Sequence, residues 1–190
     1  MFRFVWQPEN LSPQALDAAR RAEFRIVYDL TGPQRLDKAA LLTRLADPAM
    51  PVDFWIDGIG EGGLPDAVLT ALCRLAPAAL VWVEAAGLST AMCRTLQQLA
   101  PDRLGWVVAS AADLEQVRQA VPGTCRFALK GNEAAGFVGA DTLFTLFSTV
   151  RQQLRLSGGT LGLHVWGGVA TPEAAAAFLT SGAAGIVFES

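Results

Sequence analysis

The sequence predicts an α/β protein in which eight parallel strands close into a (β/α)8 barrel. Short apolar runs typical of strands alternate with stretches of helical character along the whole chain. The apolar runs number eight, and nearly every one is followed by small or polar residues. With 190 residues, of which 52% are hydrophobic, the chain is long enough to bury one full core. We therefore expect residues 1–190 to form a single domain.

The eight predicted strands are bounded by turn residues and are rich in β-branched and aromatic side chains. In chain order they are Phe2–Trp6, Arg25–Leu30, Val52–Asp57, Leu80–Glu84, Leu104–Ala109, Cys125–Lys130, Leu161–Trp166 and Gly185–Phe188. Strands that alternate singly with helices indicate a parallel sheet covered by helices. Eight such units favour the TIM barrel, and a doubly wound open sheet is the alternative.

Helix starts are marked by hydroxyl residues that can cap a helix. Ser89, Ser110 and Thr171 each stand directly before a helical stretch, and Ser12 and Thr171 are each followed by a proline suited to the first helical position. We expect Asp141 to cap the longest helix, which carries an apolar stripe of Leu143, Phe144, Phe147 and Leu154. The eighth helix is missing from this sequence, so we expect a compact barrel that is the N-terminal part of a longer polypeptide.

Composition excludes several classes of protein. The net charge of −3 and the lack of a run of Lys or Arg argue against a nucleic-acid partner. No apolar run reaches the roughly 20 residues of a membrane span. The three cysteines include no C-x-x-C pair, which predicts reduced thiols and no zinc site: Cys73, Cys93 and Cys125. We therefore expect a cytoplasmic protein with no membrane partner.

Polar residues stand at the C-terminal ends of the predicted strands, where parallel barrels bind ligands. They are Gln7, Asp29, Asp57, Glu84, Ser110, Lys130 and Glu189. Because an unpaired charge facing the helices would be costly, these side chains should point to the barrel mouth. By the alternation of a strand, Trp55 and Trp82 then also point inward. The five tryptophans either fill the interior and its helix interface or form a stacking wall, and crowding of the upper lumen would exclude a flavin.

Two titratable residues are candidates for chemistry. Lys130 is the one cation among the strand ends, and it could anchor an anion, act as a general base or form a Schiff base. The alternative is that Lys130 only neutralises neighbouring carboxylates such as Glu84. His164 is the only histidine, and its place within an apolar strand favours a hydrogen-bonded core residue.

The glycine pair Gly167-Gly168 follows the seventh strand. Without a Cβ, such a loop lets backbone N–H groups approach a phosphate, and TIM barrels build their phosphate sites from the loops after strands seven and eight. The alternative is a turn that needs glycine only for its backbone geometry.

The last third of the chain resembles the nitronate monooxygenase (2-nitropropane dioxygenase) superfamily, which includes the FMN-dependent enoyl reductases. The matching segments are Lys130 to Gly136 (KGNEAAG), Val165 to Ala170 (VWGGVA) and Gly182 to Ser190 (GAAGIVFES). They fall where the family has G-x-E-A-G-G-H after strand six, G-G-[IV] after strand seven and G-[TS] after strand eight. The variant that begins with Lys-Gly is most similar to barrel segments of large polyketide synthases.

The resemblance implies an FMN-dependent barrel domain of a polyketide or fatty-acid synthase, with acyl thioesters, acyl carrier protein or other synthase domains as partners. It places cofactor binding at Gly131, Asn132, Gly167, Gly168 and Ser190, and chemistry at Lys130 and Glu133. Phe137 stands where the family has its catalytic histidine, and Glu189 stands where its last glycine is expected. Two hypotheses follow: an FMN-dependent oxidoreductase acting on an acyl thioester, and a degenerate, flavin-free barrel that serves as a structural or docking module.

Overall fold

The computed structural model describes residues 2–6, 14, 18, 21–22, 24–29, 52–56, 79–123, 126–134, 138–159 and 161–189. Eight strands form a closed barrel in which each strand pairs in parallel with the next and the eighth pairs with the first. They are β1 (Phe2–Trp6), β2 (Arg25–Asp29), β3 (Val52–Ile56), β4 (Val81–Glu84), β5 (Leu104–Val108), β6 (Arg126–Lys130), β7 (Gly162–Trp166) and β8 (Gly185–Glu189). The α/β class and the parallel sheet are confirmed, and each strand end lies within one residue of its prediction.

Four helices follow the strands β4 to β7. They are α1 (Thr90–Leu99), α2 (Ala111–Ala120), α3 (Leu143–Ser157) and α4 (Pro172–Thr180). The helices predicted between β1 and β4 fall largely outside the described residues, so the complete (β/α)8 repeat stays a prediction. Among the described helices, none has the length and apolar character needed to cross a membrane.

Helix capping follows the sequence at three of the four predicted caps that the structure describes, and Ser12 lies outside the described residues. Ser89, Ser110 and Thr171 each accept a hydrogen bond from the backbone N–H three residues later. The prediction for Asp141 was wrong, because Thr142 caps α3 and accepts from the backbone N–H of Thr145 at 3.3 Å. The backbone carbonyl of Asp141 instead accepts a hydrogen bond from the Asn132 N–H at 3.0 Å.

The predicted apolar stripe of α3 is confirmed with one exception. Leu143, Phe147 and Leu154 are buried, whereas 71% of the Phe144 side chain is exposed. Phe144 therefore lies on the flank of the helix and not on the face that covers the sheet.

Side chains sort into two apolar clusters on the two sides of the sheet. The outer cluster fills the space between strands and helices and includes Trp106. The inner cluster fills the lumen with Val5, Val27, Trp55, Trp82, Val107, Ala128, Trp166 and Val187. The inward orientation predicted for Trp55 and Trp82 is confirmed, since both belong to the inner cluster.

Gly105 on β5 makes room for Trp82 on the neighbouring strand β4. A Cβ at Gly105 would lie 2.5 Å from Cε3 of the Trp82 ring, closer than any real contact. The absence of a side chain at position 105 is therefore what allows an indole to lie fully buried in the lumen.

Candidate functional site

A buried ionic layer crosses the lumen near the N-terminal ends of the strands. Asp53 is fully buried, and its carboxylate accepts from Nε of Arg3 at 2.8 Å and pairs with Nη2 of Arg25 at 2.7 Å. The same carboxylate accepts a hydrogen bond from the Leu80 backbone N–H at 3.1 Å. Burial lowers the pKa of Arg3, and the adjacent Asp53 opposes that shift. The geometry is that of a structural ion network, since one buried carboxylate binds two guanidinium groups inside the barrel.

His164 belongs to this layer. Its Nδ1 accepts a hydrogen bond from Nη1 of Arg3 at 3.1 Å, and its ring packs edge-on against Trp82 with centroids 5.2 Å apart. Burial, followed by the charge of Arg3, lowers the pKa of His164 to about 3. The histidine is therefore neutral at physiological pH, which agrees with the prediction of a hydrogen-bonded core residue.

Lys130 lies in a second polar layer, at the C-terminal ends of the strands. Its Nζ is 3.9 Å from Oε2 of Glu84 and 3.9 Å from the centroid of the Trp55 ring. The Trp166 ring lies 4.7 Å from that of Trp55 and 5.8 Å from the Lys130 amine. Lys130 and Trp166 are fully buried. A ligand at the mouth reaches this amine only if side chains move, which disfavours a Schiff-base role.

The loop after β6 is bound to the start of α3. Asn132 donates from its backbone N–H to the Asp141 carbonyl at 3.0 Å and from Nδ2 to the Ala140 carbonyl at 3.2 Å. Oε2 of Glu133 accepts from the Leu143 N–H at 2.9 Å, at the first position of the helix. Asn132 therefore holds the segment that leads into α3, and Glu133 satisfies a backbone N–H in the first turn of that helix.

The glycine pair adopts the left-handed backbone conformation, with φ of 81° at Gly167 and 65° at Gly168. A Cβ at Gly167 would lie 2.5 Å from Cβ of Ala134, and one at Gly168 would lie 3.2 Å from the carboxyl carbon of Glu133. The pair therefore packs closely against the loop after β6. This contact explains both glycines without a ligand.

Two features of the described residues oppose binding of a phosphate beside the glycine pair. The backbone N–H groups of Gly131, Asn132, Ala134 and Gly167 each donate to a backbone carbonyl. A phosphate at Gly168 would approach the Glu133 carboxylate. Two like charges about 4 Å apart repel by roughly 1 kcal/mol in water and about 4 kcal/mol near a protein surface. Ser190 and Phe137 lie outside the described residues.

The residues predicted to act together occupy different places. Lys130 is inside the barrel, whereas Glu133 is exposed and binds the start of α3. Gly131 lies under that helix start, because a Cβ there would be 2.5 Å from the Leu143 nitrogen. Of the glycine pair, Gly168 lies beside Glu133 and Gly167 lies beside Ala134. Whether any of these residues binds a cofactor or acts in catalysis stays a prediction.

The Arg3–Asp53–His164 network was not predicted from the sequence. The sequence did carry a signal for the inward orientation of these residues. Each of them stands two positions before an inward-facing apolar residue of the same strand, namely Val5, Trp55 and Trp166. Within the described residues, no group of three His, Cys, Asp or Glu side chains could hold a metal ion.

Solved structures share this fold. FabK from Thermotoga maritima matches with a TM-score of 0.68 and 21% sequence identity, over 98% of this chain and 57% of that chain. A methionine-to-alanine mutant of the same protein matches with a TM-score of 0.69 and 20% identity, over 98% of this chain and 60% of that chain. The present chain thus spans less than two thirds of their length. No family model and no curated protein matches the sequence. The likeness shows that the chain has the α/β barrel fold of FabK.

Proposed function

We propose that this chain is a flavin-free barrel module of a fatty-acid or polyketide synthase, related to FMN-dependent enoyl reductases. The motifs around Lys130 and Gly167 support the relationship, and the fold shared with FabK agrees with it. The observation that carries the flavin-free assignment is the position of Glu133. Its carboxyl carbon lies 3.2 Å from the position that a Cβ of Gly168 would take, at the loop where the family binds phosphate.

Glu133 is held at this position by its own hydrogen bond. Because Oε2 accepts from the Leu143 N–H at 2.9 Å, the carboxylate would lose a hydrogen bond to the helix start if it turned away. The acid and the glycine loop therefore form one packed unit. A phosphate would have to break that unit before it could bind.

The strand-end layer supports the same conclusion. Trp55, Trp166 and Lys130 fill the upper lumen, and the exposed fraction of each is 5% or less. From the sequence, we expected tryptophans that crowd the upper lumen to exclude a flavin. This proposal also includes three further expectations: the complete (β/α)8 repeat, a continuation of the polypeptide into further synthase domains, and an acyl carrier protein as partner.

Absorbance and binding measurements test the assignment. We expect the purified protein to show no flavin absorbance between about 350 and 500 nm, and added FMN to keep its full fluorescence. Riboflavin, which lacks the phosphate, serves as the matched ligand. Copurification of FMN, or micromolar binding of FMN in preference to riboflavin, would overturn the proposal.

The variant Glu133→Gln probes the role of the charge directly. It keeps an oxygen acceptor for the Leu143 N–H and removes the negative charge beside Gly168. If the charge excludes phosphate, this variant binds FMN more tightly than the wild-type protein does, whereas its affinity for riboflavin is unchanged.

A second candidate is an FMN-dependent oxidoreductase that acts on an acyl thioester. Gly168 favours it, because this residue is exposed and has the positive φ of a loop that can approach a phosphate. In that case the FMN, which supplies the hydride chemistry, would be held by Gly131, Asn132, Gly167, Gly168 and Ser190. The substrate would be oriented by Lys130 and Glu133. FMN-dependent consumption of NADH or NADPH with an enoyl thioester would support it.

A further inference from the structure

An open groove lies outside the barrel, between helices α3 and α4. Its volume is about 680 Å³, within the range of small-molecule sites in proteins. The two helices touch through the edge-on pair of Phe147 and Phe178, whose centroids are 5.3 Å apart. Elsewhere α3 and α4 stand apart, whereas α1 and α2 pack side by side. The groove is therefore a gap between two neighbouring helices in the outer layer of the barrel.

The wall formed by α3 has an apolar end and a cationic end. Phe144 lies near the start of the helix, Arg151 lies nearly two turns before its end, and Arg155 lies in its last turn. Eleven residues separate Phe144 from Arg155, which corresponds to about 16 Å along the helix axis. The groove is thus long and narrow, and its two ends differ in chemistry.

The opposite wall, on α4, is made of small side chains. Ala174, Ala177 and Ser181 line it at helical spacing, and they leave a shallow surface beside Phe178. An elongated apolar group can lie on this surface and contact phenylalanine rings on both sides of the groove. The solvent-exposed Phe144 ring at the open end supplies further apolar area for such a contact.

The cationic end has no acidic partner within the described part of the chain. Arg151 stacks over the Phe147 ring, with its guanidinium carbon 5.6 Å from the centroid. None of the ion pairs found among the described residues involves Arg151 or Arg155. The one carboxylate that lines the groove, Glu133, lies at the other end and is hydrogen-bonded to Leu143. Two guanidinium groups one turn apart can bind a single carboxylate or phosphate.

The geometry points to a binding site for an anion-headed apolar molecule, with its head group on Arg151 and Arg155 and its alkyl chain along Phe147 and Phe178 toward Phe144. Charge fixes the direction, because Glu133 repels an anion at the upper end. This site is separate from the lumen and from the glycine loop. It therefore does not depend on whether the mouth of the barrel holds a flavin.

Calorimetric titration with decanoate and decyl phosphate tests the site, and the two ligands distinguish a carboxylate from a phosphate head group. Decyltrimethylammonium is the matched ligand of opposite charge. We expect at least one of the anions to bind with a stoichiometry of one, and the cation not to bind. Equal binding of the cation and the anions, or no binding of either anion at millimolar concentration, would overturn the proposal.

Three variants locate the binding. Arg151→Gln and Arg155→Gln should each weaken binding of the anion about tenfold, the loss of one charge-assisted contact. Arg155→Lys should retain part of the affinity. Arg118→Gln, on α2 and outside the groove, is the control and should bind as the wild-type protein does. All three positions are at least partly exposed, so the four variants are expected to fold, and unchanged thermal melts would establish this. Wild-type affinity in both glutamine variants would contradict the site.

Discussion

The guanidinium of Arg3 donates a hydrogen bond from Nη1 to Nδ1 of His164, 3.1 Å away inside the barrel. Because a guanidinium carries only donors, Nδ1 must be the unprotonated nitrogen and the ring proton must lie on Nε2. One contact thus fixes both the charge and the tautomer of the only histidine. Protonation of His164 would place a second cation beside Arg3.

This relationship predicts that the protein loses stability as the pH falls. The pKa of His164 is about 3 in the folded state and about 6.5 in the unfolded chain. Above pH 6.5 both states are neutral, and the histidine contributes no pH dependence. Below it the unfolded state binds a proton that the folded state does not, so the free energy of unfolding should fall by about 1.4 kcal/mol per pH unit until the folded pKa is reached. Urea denaturation between pH 7.5 and 4.5 measures this slope.

His164→Gln is the control for that slope. The amide oxygen can accept from Arg3 but does not titrate, so the slope below pH 6 should decrease by about 1.4 kcal/mol per pH unit. Identical slopes for the variant and the wild-type protein would show that other groups carry the acid sensitivity.

Asp53→Asn should be among the most destabilising single changes in the lumen. It removes the charge that pairs with Arg3 at 2.8 Å and Arg25 at 2.7 Å, and leaves the buried guanidinium of Arg3 without compensation. We expect a loss of about 3–5 kcal/mol in the free energy of unfolding. Glu115→Gln, which removes a surface pair with Arg118, is the matched control and should cost less than about 1 kcal/mol. Similar losses in the two variants would contradict a buried network.

Gly167→Ala should destabilise the protein more than Gly158→Ala. Both glycines have positive φ, 81° and 66°, so alanine pays a similar backbone penalty of about 1–2 kcal/mol at either position. At Gly158 a Cβ would meet nothing within 4 Å, whereas at Gly167 it would lie 2.5 Å from Cβ of Ala134. The difference between the two thermal or urea midpoints isolates the packing of the glycine loop. Equal losses would show that backbone conformation alone requires Gly167.

Lys130→Met should destabilise the barrel, and a second change should recover part of the loss. The substitution leaves the buried carboxylate of Glu84 without the amine 3.9 Å away, for which we expect a loss of about 3 kcal/mol. In the double variant Lys130→Met/Glu84→Gln the charge is gone from both positions, so the protein should be more stable than the single variant. Additive losses in this cycle, measured by urea denaturation, would show that the two residues do not interact.

The strands and helix starts were predictable because their signals are local. An apolar run bounded by turns defines each strand, and a hydroxyl before a helical stretch defines Ser89, Ser110 and Thr171 as caps. The start of α3 was placed one residue early because Asp141 and Thr142 are both good caps. A contact outside the helix decided between them, since the Asp141 carbonyl is used by Asn132.

The chemistry of the candidate site was less predictable because it depends on contacts between distant segments. Arg3 and Asp53 lie 50 residues apart, and the alternation of one strand does not reveal its partner. The glycine pair was identified from its sequence, but the structural reason for glycine at these two positions is their close packing against Ala134 and Glu133 on the preceding loop. A phosphate loop and a packing contact require the same residue type, so only the surrounding atoms distinguish them.

Inside the barrel, the ring of Trp82 occupies the space that a side chain at Gly105 would need. A cavity could therefore be engineered at this place. Trp82→Ala would remove a fully buried indole beside a position that already lacks a side chain. Such a change typically costs about 3–5 kcal/mol, and the apolar cavity that it leaves stays dry and can take up a small apolar guest. Xenon or indole added to that variant should raise its melting temperature and leave that of the wild-type protein unchanged. The glycine on β5 would then line a binding chamber in a barrel whose lumen is otherwise filled by its own side chains.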